Sequence, residues 1–310
     1  MDAVINAALP IFSLIGVGYL SARMGGFDPA ATASLNRFAF YLALPALIFV
    51  AMTKVTPAQL GEVGFVVAFG SSIAVLFALG FAVRRLAGKR LANASIGGLA
   101  AGYGNVGFMG IPLCLLVFGN ESLPAAVIAT LFTGCILFLV AIALIEIDLH
   151  KGRGVWQTLC NVGGPLVLNP LLVSPVAGLM IGLSGLTLPT PVERFATLLG
   201  GAASPCALFC VGLFLAQERM GRGAVSTIAV LVGLKLVVHP ALTAALVYGA
   251  FSMPPVWAKA AVLLSALPIG SGPFTIAKLY NLDPDVMSGA ILISHLFSVL
   301  TVTALIGWLG

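Results

Sequence analysis

The sequence predicts an all-α integral membrane protein of ten transmembrane helices, arranged as a five-plus-five inverted repeat with broken crossover helices at spans four and nine. Composition, the spacing of apolar runs and the placement of Gly and Pro carry this expectation. Of 310 residues, 60% are hydrophobic and 8% charged, whereas a soluble domain carries roughly a quarter charged residues. With a mean hydropathy of +1.12, the chain has too little polar surface to cover itself in water. A span needs about 20 mainly apolar residues to cross a hydrocarbon core of about 30 Å, so the chain holds ten spans, short connections and no soluble domain.

Apolar runs between charged or Pro/Gly-rich breaks place the spans near 3–22, 31–51, 64–83, 92–118, 122–146, 163–185, 195–216, 224–250, 257–281 and 286–308. The first run is read as a true span, because it is too long for a signal-peptide core and no basic residue precedes it. With the amino terminus outside, inner loops hold Arg23, Arg84, Arg85, Lys89, Arg90, Lys151, Arg153, Arg219 and Arg222, against Lys54, Arg194 and Lys259 outside. The positive-inside rule then puts both termini on the outer side, which in a bacterium is the periplasmic side of the inner membrane. This topology accounts for the net charge of +5, and no basic stripe suggests nucleic acid. The cysteines Cys114, Cys135, Cys160, Cys206 and Cys210 lie mostly in apolar runs, with neither disulfide nor metal-site spacing.

A division near the loop from His150 to Asn161 leaves five spans in residues 1–150 and five in 151–310, and an odd number per half inverts the second half. Arg37-Phe38 followed by Leu44-Pro45-Ala46-Leu47 echoes Arg194-Phe195 followed by Ser204-Pro205-Cys206-Ala207-Leu208. Span four carries Gly102-Tyr103-Gly104-Asn105-Val106-Gly107-Phe108-Met109-Gly110-Ile111-Pro112, and span nine carries Leu267-Pro268-Ile269-Gly270-Ser271-Gly272-Pro273-Phe274-Thr275. Glycine costs about 1 kcal/mol in a helix interior and proline removes a donor, so each span is expected to break into half-helices. Pro112 and Pro273 would open the second half of each, where a missing N–H costs nothing. Such interruptions in both halves point to a transporter's binding site.

No Asp or Glu falls near the middle of a span, which removes the usual carboxylate ligands of a cation site. Lys235 lies eleven residues into span eight, about 16 Å from its end. His239 stands one turn on, and His295 is near mid-depth in span ten. A buried ammonium without a carboxylate needs an anion or backbone carbonyls exposed by the breaks, and the sequence leaves both open for Lys235. The half-helix starts at Ile111 to Cys114 and Gly272 to Thr275 would offer N–H groups to an anion, with Asn105 and Ser271 adding neutral hydrogen bonds.

Leu44-Pro45-Ala46-Leu47-Ile48-Phe49, the run from Gly104 to Leu113, and Leu267-Pro268 to Tyr280 with Ser294 together resemble the auxin efflux carrier family, over essentially the whole chain. The resemblance implies a scaffold of spans one, two, six and seven, a mobile unit of spans three, four, five, eight, nine and ten, a homodimer, and elevator-like alternating access. It implies a substrate site lined by Asn105, Gly107, Pro112, Pro268, Gly270, Ser271 and Pro273, extended on this chain by Gly104, Gly110, Ile111, Gly272 and Thr275. Gly270-Ser271-Gly272 stands where many members carry an asparagine-containing stretch. The central loop is a dozen residues, short like that of the bacterial carriers.

The expected function is secondary transport of small organic anions, mono- or dicarboxylates such as malonate or malate, coupled to protons through His239, His295 or Lys235, or to sodium. An anion channel or a membrane-embedded sensor is the rival reading. An enzyme is not expected: no central aspartates exist, and Gly270-Ser271-Gly272 is not a nucleophile elbow. Neither a cofactor nor a metal is expected, and no phosphate-binding loop is present.

Overall fold

The computed structural model describes residues 2–55, 62–149, 169–217 and 225–309. These form α1 (Asp2–Arg23), α2 (Pro29–Met52), α3 (Val63–Leu86), α4 (Leu91–Gly102), α5 (Val106–Phe118), α6 (Asn120–Leu149), α7 (Pro170–Leu183), α8 (Thr190–Gln217), α9 (Val225–Gly249), α10 (Pro255–Ser265), α11 (Gly272–Leu279) and α12 (Pro284–Leu309). Helices α2, α3, α6, α8, α9 and α12 are long and apolar enough to cross a membrane, while α1, α5, α7 and α10 are shorter apolar helices. Among the described residues no strand forms beyond one isolated bridge. Leu20, Leu198, Leu296 and Leu300 are all exposed, a surface that suits lipid and not water. The dividing loop from His150 to Asn161, with Lys151, Arg153, Cys160, Arg219 and Arg222, lies outside the described residues.

Among the described residues four helices contain a π turn: Ala39–Ala43 in α2, Val106–Gly110 in α5, Phe132–Leu137 in α6 and Leu234–Val238 in α9. In three of them a proline follows at the same offset, namely Pro45, Pro112 and Pro240. The residue just before each proline donates five residues back: Leu44 to Ala39, Ile111 to Val106 and His239 to Leu234. A proline inside a helix lacks the N–H and collides with the carbonyl four residues earlier. Widening the preceding turn relieves that collision without breaking the helix. The same device corrects one expectation, since the helix after the first break resumes at Val106, ahead of Pro112. Pro112 then sits inside a continuing helix, whereas Pro273 does stand in the first turn of α11.

Helix α1 packs along α8, and α2 lies against α7 and α8. At the first of these contacts a Cβ on Gly212 would stand 2.0 Å from the carbonyl oxygen of Ile15, and one on Gly18 would stand 2.2 Å from that of Phe209. Glycine on both helices is what lets the backbones touch. A second set of contacts joins α3 to α4, α4 to α6, α9 to α3 and α10, and α12 to α9 and α11. The two sets meet where α1 touches α12, α8 touches the start of α5, and α2 touches α6.

Charged side chains pair at helix ends. Lys54 after α2 meets Glu193 of α8 at 3.0 Å, and Arg90 meets Asp148 at 3.0 Å. Asp283 follows the turn that closes α11, where Asn281 and Asp283 both take left-handed backbone angles, a conformation that Asn and Asp tolerate better than most residues. There Asp283 receives Lys89 at 3.2 Å together with the buried Arg84 guanidinium. Partial burial works against the Asp283 carboxylate, but hydrogen bonds from Lys89 and Arg84, and their charges, outweigh it and hold its pKa below the usual carboxylate range. A carboxyl with a depressed folded-state pKa stabilises fully above its unfolded pKa and loses that stabilisation as pH falls through the folded one. The melting temperature of Asp283→Asn in detergent is therefore expected to fall below wild type at neutral pH, with the gap closing on acidification. A gap of constant size down to acid pH would contradict the ion-pair account.

Candidate functional site

The two helix breaks face each other and satisfy one another's backbone. Helix α4 ends with the Tyr103 N–H on Leu99 O at 2.8 Å, and α10 ends with the Ala266 N–H on Val262 O at 3.1 Å. Between the ends, Gly104 and Ile269 form an antiparallel bridge: the Asn105 N–H donates to Pro268 O at 2.8 Å and the Gly270 N–H to Tyr103 O at 3.1 Å. Side chains take what remains. The Ser294 hydroxyl accepts from the Ile269 N–H at 3.0 Å, and Lys235 Nζ donates to the carbonyl of Ser265. At membrane depth an unsatisfied backbone group costs several kcal/mol, so the bridge and its two side chains are what permit non-helical backbone here.

Lys235 is fully buried, and a Cβ on Gly104 would lie 3.4 Å from its Nζ. Of the two partners left open by the sequence, the structure supplies the backbone carbonyl. Lys235 Nζ also lies 3.1 Å from His239 Nδ1, and His239 Nε2 lies 3.3 Å from Ser72 Oγ. The Ser72 hydroxyl donates to Phe69 O at 2.8 Å. Ser72 must then accept from His239 Nε2–H, which leaves Nδ1 to accept from Lys235. His295 is placed differently, with Nδ1 2.9 Å from Ile291 O and Nε2 3.3 Å from Asn105 Nδ2.

A cavity of about 770 Å³ opens beside the breaks. Among the residues expected from sequence, Gly104, Asn105, Gly107, Ser271, Gly272 and Thr275 line it. Gly110, Ile111, Pro112, Pro268, Gly270, Pro273, Lys235 and His239 do not, and most of these are buried in the packing behind it. His295 lines a second cavity of about 280 Å³ that shares Asn36, Asn105, Phe108, Ser271 and Thr275 with the first. Sequence reasoning missed Arg37, the single charged side chain on the larger cavity among the described residues, along with Asn36, Tyr103 and Phe138. The Arg37-Phe38 pair was visible in the sequence as a repeat element, but its spacing did not place it beside the two breaks. Tyr103 and Phe138 rings pack 5.1 Å apart. They leave no room for a side chain at positions 270 and 272, where a Cβ would come within 2.6 Å of Tyr103 and 2.5 Å of Phe138.

Among the described residues no group of His, Cys, Asp and Glu is arranged to hold a metal ion. The polar lining of the larger cavity consists of an arginine, amides, hydroxyls and the first turn of α11, a donor set suited to a carboxylate. Lys235 acts on this wall from behind. Lys235→Met strands the Ser265 carbonyl and is expected to lower stability by about 1–3 kcal/mol, read as a reduced melting temperature, with Lys235→Gln recovering part of the loss. A Lys235→Met protein as stable as wild type would mean that the carbonyl does not need this donor.

Comparison with known proteins places the chain among membrane transporters. Residues 3–154 and 153–306 match the family described as "Membrane transport protein". A protein of Rhizobium meliloti named "Putative malonate transporter" is 33% identical, covering 99% of this chain and 96% of its own. Auxin efflux carrier component 8 of Arabidopsis thaliana is 22% identical over 97% of this chain and 96% of its own, and an uncharacterized transporter of Escherichia coli K12 is 25% identical over 96% and 95%. On full-length coverage by the family and its relatives, this chain belongs to the membrane transport protein family that contains the auxin efflux carriers; it is a membrane transporter and not an enzyme.

Proposed function

We propose that this protein is a secondary transporter of small organic anions, mono- or dicarboxylates, that binds its substrate in the cavity beside the two helix breaks. The observation that carries this reading is Arg37, which among the described residues is the lone charge on a cavity otherwise lined by neutral and apolar groups. Arg37 is itself exposed at the edge of this cavity, where a guanidinium attracts a carboxylate and can grip it bidentately. The volume is in the range of small-molecule sites, roughly 300–1,000 Å³, and Asn105, Ser271 and Thr275 stand on the same wall as the first turn of α11. The relative named for malonate supports the same substrate class.

The proposed architecture follows the contact pattern. Helices α1, α2, α7 and α8 form the scaffold, and α3 to α6 with α9 to α12 form the moving unit, with α4–α5 and α10–α11 as the two broken spans of a ten-span inverted repeat divided near residue 150. Arg37 stands on the scaffold and Asn105 on the moving unit, so the substrate lies at the boundary where an elevator-like displacement would carry it. Coupling to a proton or sodium, a homodimer, and insertion in a bacterial inner membrane with both termini outside complete the proposal.

Counterflow in proteoliposomes with acetate, lactate, malonate and malate tests it. Wild type is expected to give saturable exchange with at least one of these anions. Loss of a charge-assisted contact of about 1.5–3 kcal/mol in Arg37→Gln should raise KM by about ten- to a hundredfold, and Asn105→Ala should reduce exchange to background. Non-saturable flux would indicate a channel, binding without flux a sensor, and neither would leave the anion reading without support.

A further inference from the structure

We propose that His295 is a positioning residue whose protonation reverses the hydrogen-bonding polarity of Asn105, so that a proton and an anion are taken up together; this rests on the reading of the cavity as a carboxylate site. His295 Nδ1 lies 2.9 Å from the Ile291 carbonyl. A carbonyl only accepts, so Nδ1 carries the proton and donates. In a neutral ring Nε2 is then a bare lone pair, and the group 3.3 Å away must be a donor, the Asn105 amide nitrogen. The tautomer thus dictates the amide's orientation: one N–H is consumed by His295, and the amide oxygen lies on the other side. On that side an amide oxygen is an acceptor facing an acceptor, which suits a carboxylate poorly.

Protonation turns Nε2 into a donor while Nδ1 keeps its carbonyl. The amide nitrogen can no longer face the ring, and rotation by half a turn about the side chain's terminal bond places the oxygen there instead. Both amide N–H groups are then free for a carboxylate in the cavity that Asn105 lines. His295 lines the smaller cavity, which adjoins the larger one through the shared Asn105, so the proton's site and the anion's site border each other. When the anion leaves, the amide loses its partner, the proton returns to water on that side, and Nε2 becomes an acceptor again.

The charges around His295 favour an anion as the partner of its charged form. On the elements packed against α12, α9 carries Lys235 and His239, α11 carries Lys278, α10 carries Lys259, and α1 carries its ionisable groups Asp2, Tyr19 and Arg23. Cys210 lines the cavity opposite, and α12 itself has Asp285 in its first turn. Asp2 and Asp285 are the carboxylates in this set, and both stand at helix ends. The bound carboxylate supplies the missing negative charge. Lys235 and His239 do not share this role, because their hydrogen bonds run to Ser265, Ser72 and Phe69 and neither lines a cavity described above.

The test is malonate counterflow by the full-length protein in proteoliposomes, from about pH 6 to about pH 8, comparing wild type with His295→Gln, alongside proton uptake on malonate addition to wild type in weakly buffered detergent. Gln offers either a donor or an acceptor to Asn105 at every pH. The expected result is a wild-type KM that rises toward alkaline pH by up to about tenfold per unit, a His295→Gln KM that keeps only the dependence due to malonate's own ionisation, and net proton uptake by wild type. A His295→Gln profile that parallels wild type, or a wild-type KM without pH dependence, overturns the inference while leaving anion transport standing. Should His295→Gln fail to fold, absent proton uptake by wild type overturns it alone. Folded wild type that exchanges no carboxylate at any pH overturns the functional reading and this inference with it.

Discussion

The structure depends on the mutual satisfaction of two interrupted backbones in a place where water cannot do the job. Ending α4 at Gly102 and α10 at Ser265 frees carbonyl and N–H groups that, in hydrocarbon, would cost several kcal/mol apiece. The Gly104–Ile269 bridge pairs one break with the other, Ser294 takes the Ile269 N–H, and Lys235 takes the Ser265 carbonyl. Because each break is the other's partner, parting them would strand backbone groups of both. Helices α9 and α12 are tied to the same pair, because they provide Lys235 and Ser294.

Around this pair the chain uses one local device repeatedly. Pro45, Pro112 and Pro240 each follow a five-residue π turn by two positions. Phe40, Gly107 and Phe108, which lie within the first two of these turns, line the larger cavity, and Lys235 in the third lies buried behind it. The fourth π turn, at Phe132–Leu137, has no proline after it but contributes Thr133, Gly134 and Cys135 to the same lining.

Much of the class was legible in sequence, since composition alone excludes a water-soluble fold and full-length family motifs name a transporter. The end of α4 near Gly102-Tyr103-Gly104 and of α10 before Pro268 was legible too, because glycine and proline are costly in a helix interior whatever surrounds them. The restart at Val106 was not, since a π turn lets Pro112 sit inside the helix and sequence periodicity assumes uniform turns. Lys235 stood out by charge and depth, but which of two partners it meets depends on where α10 lies, a tertiary fact. Arg37 was read only as half of the repeat element Arg37-Phe38, because its place at the edge of a cavity lined by α2, α5, α6 and α11 is a tertiary fact.

The central claim is that a carboxylate sits between Arg37 on one side of the cavity and the paired breaks on the other. The measurement that addresses it most directly is a cryo-EM structure of the reconstituted protein in saturating malonate. The account predicts ligand density in contact with the Arg37 guanidinium and with the Asn105 amide or the first turn of α11. Density confined to the separate pocket that Lys54 and Glu121 line on the far side of α2 and α6, with the Arg37 cavity empty, would contradict it.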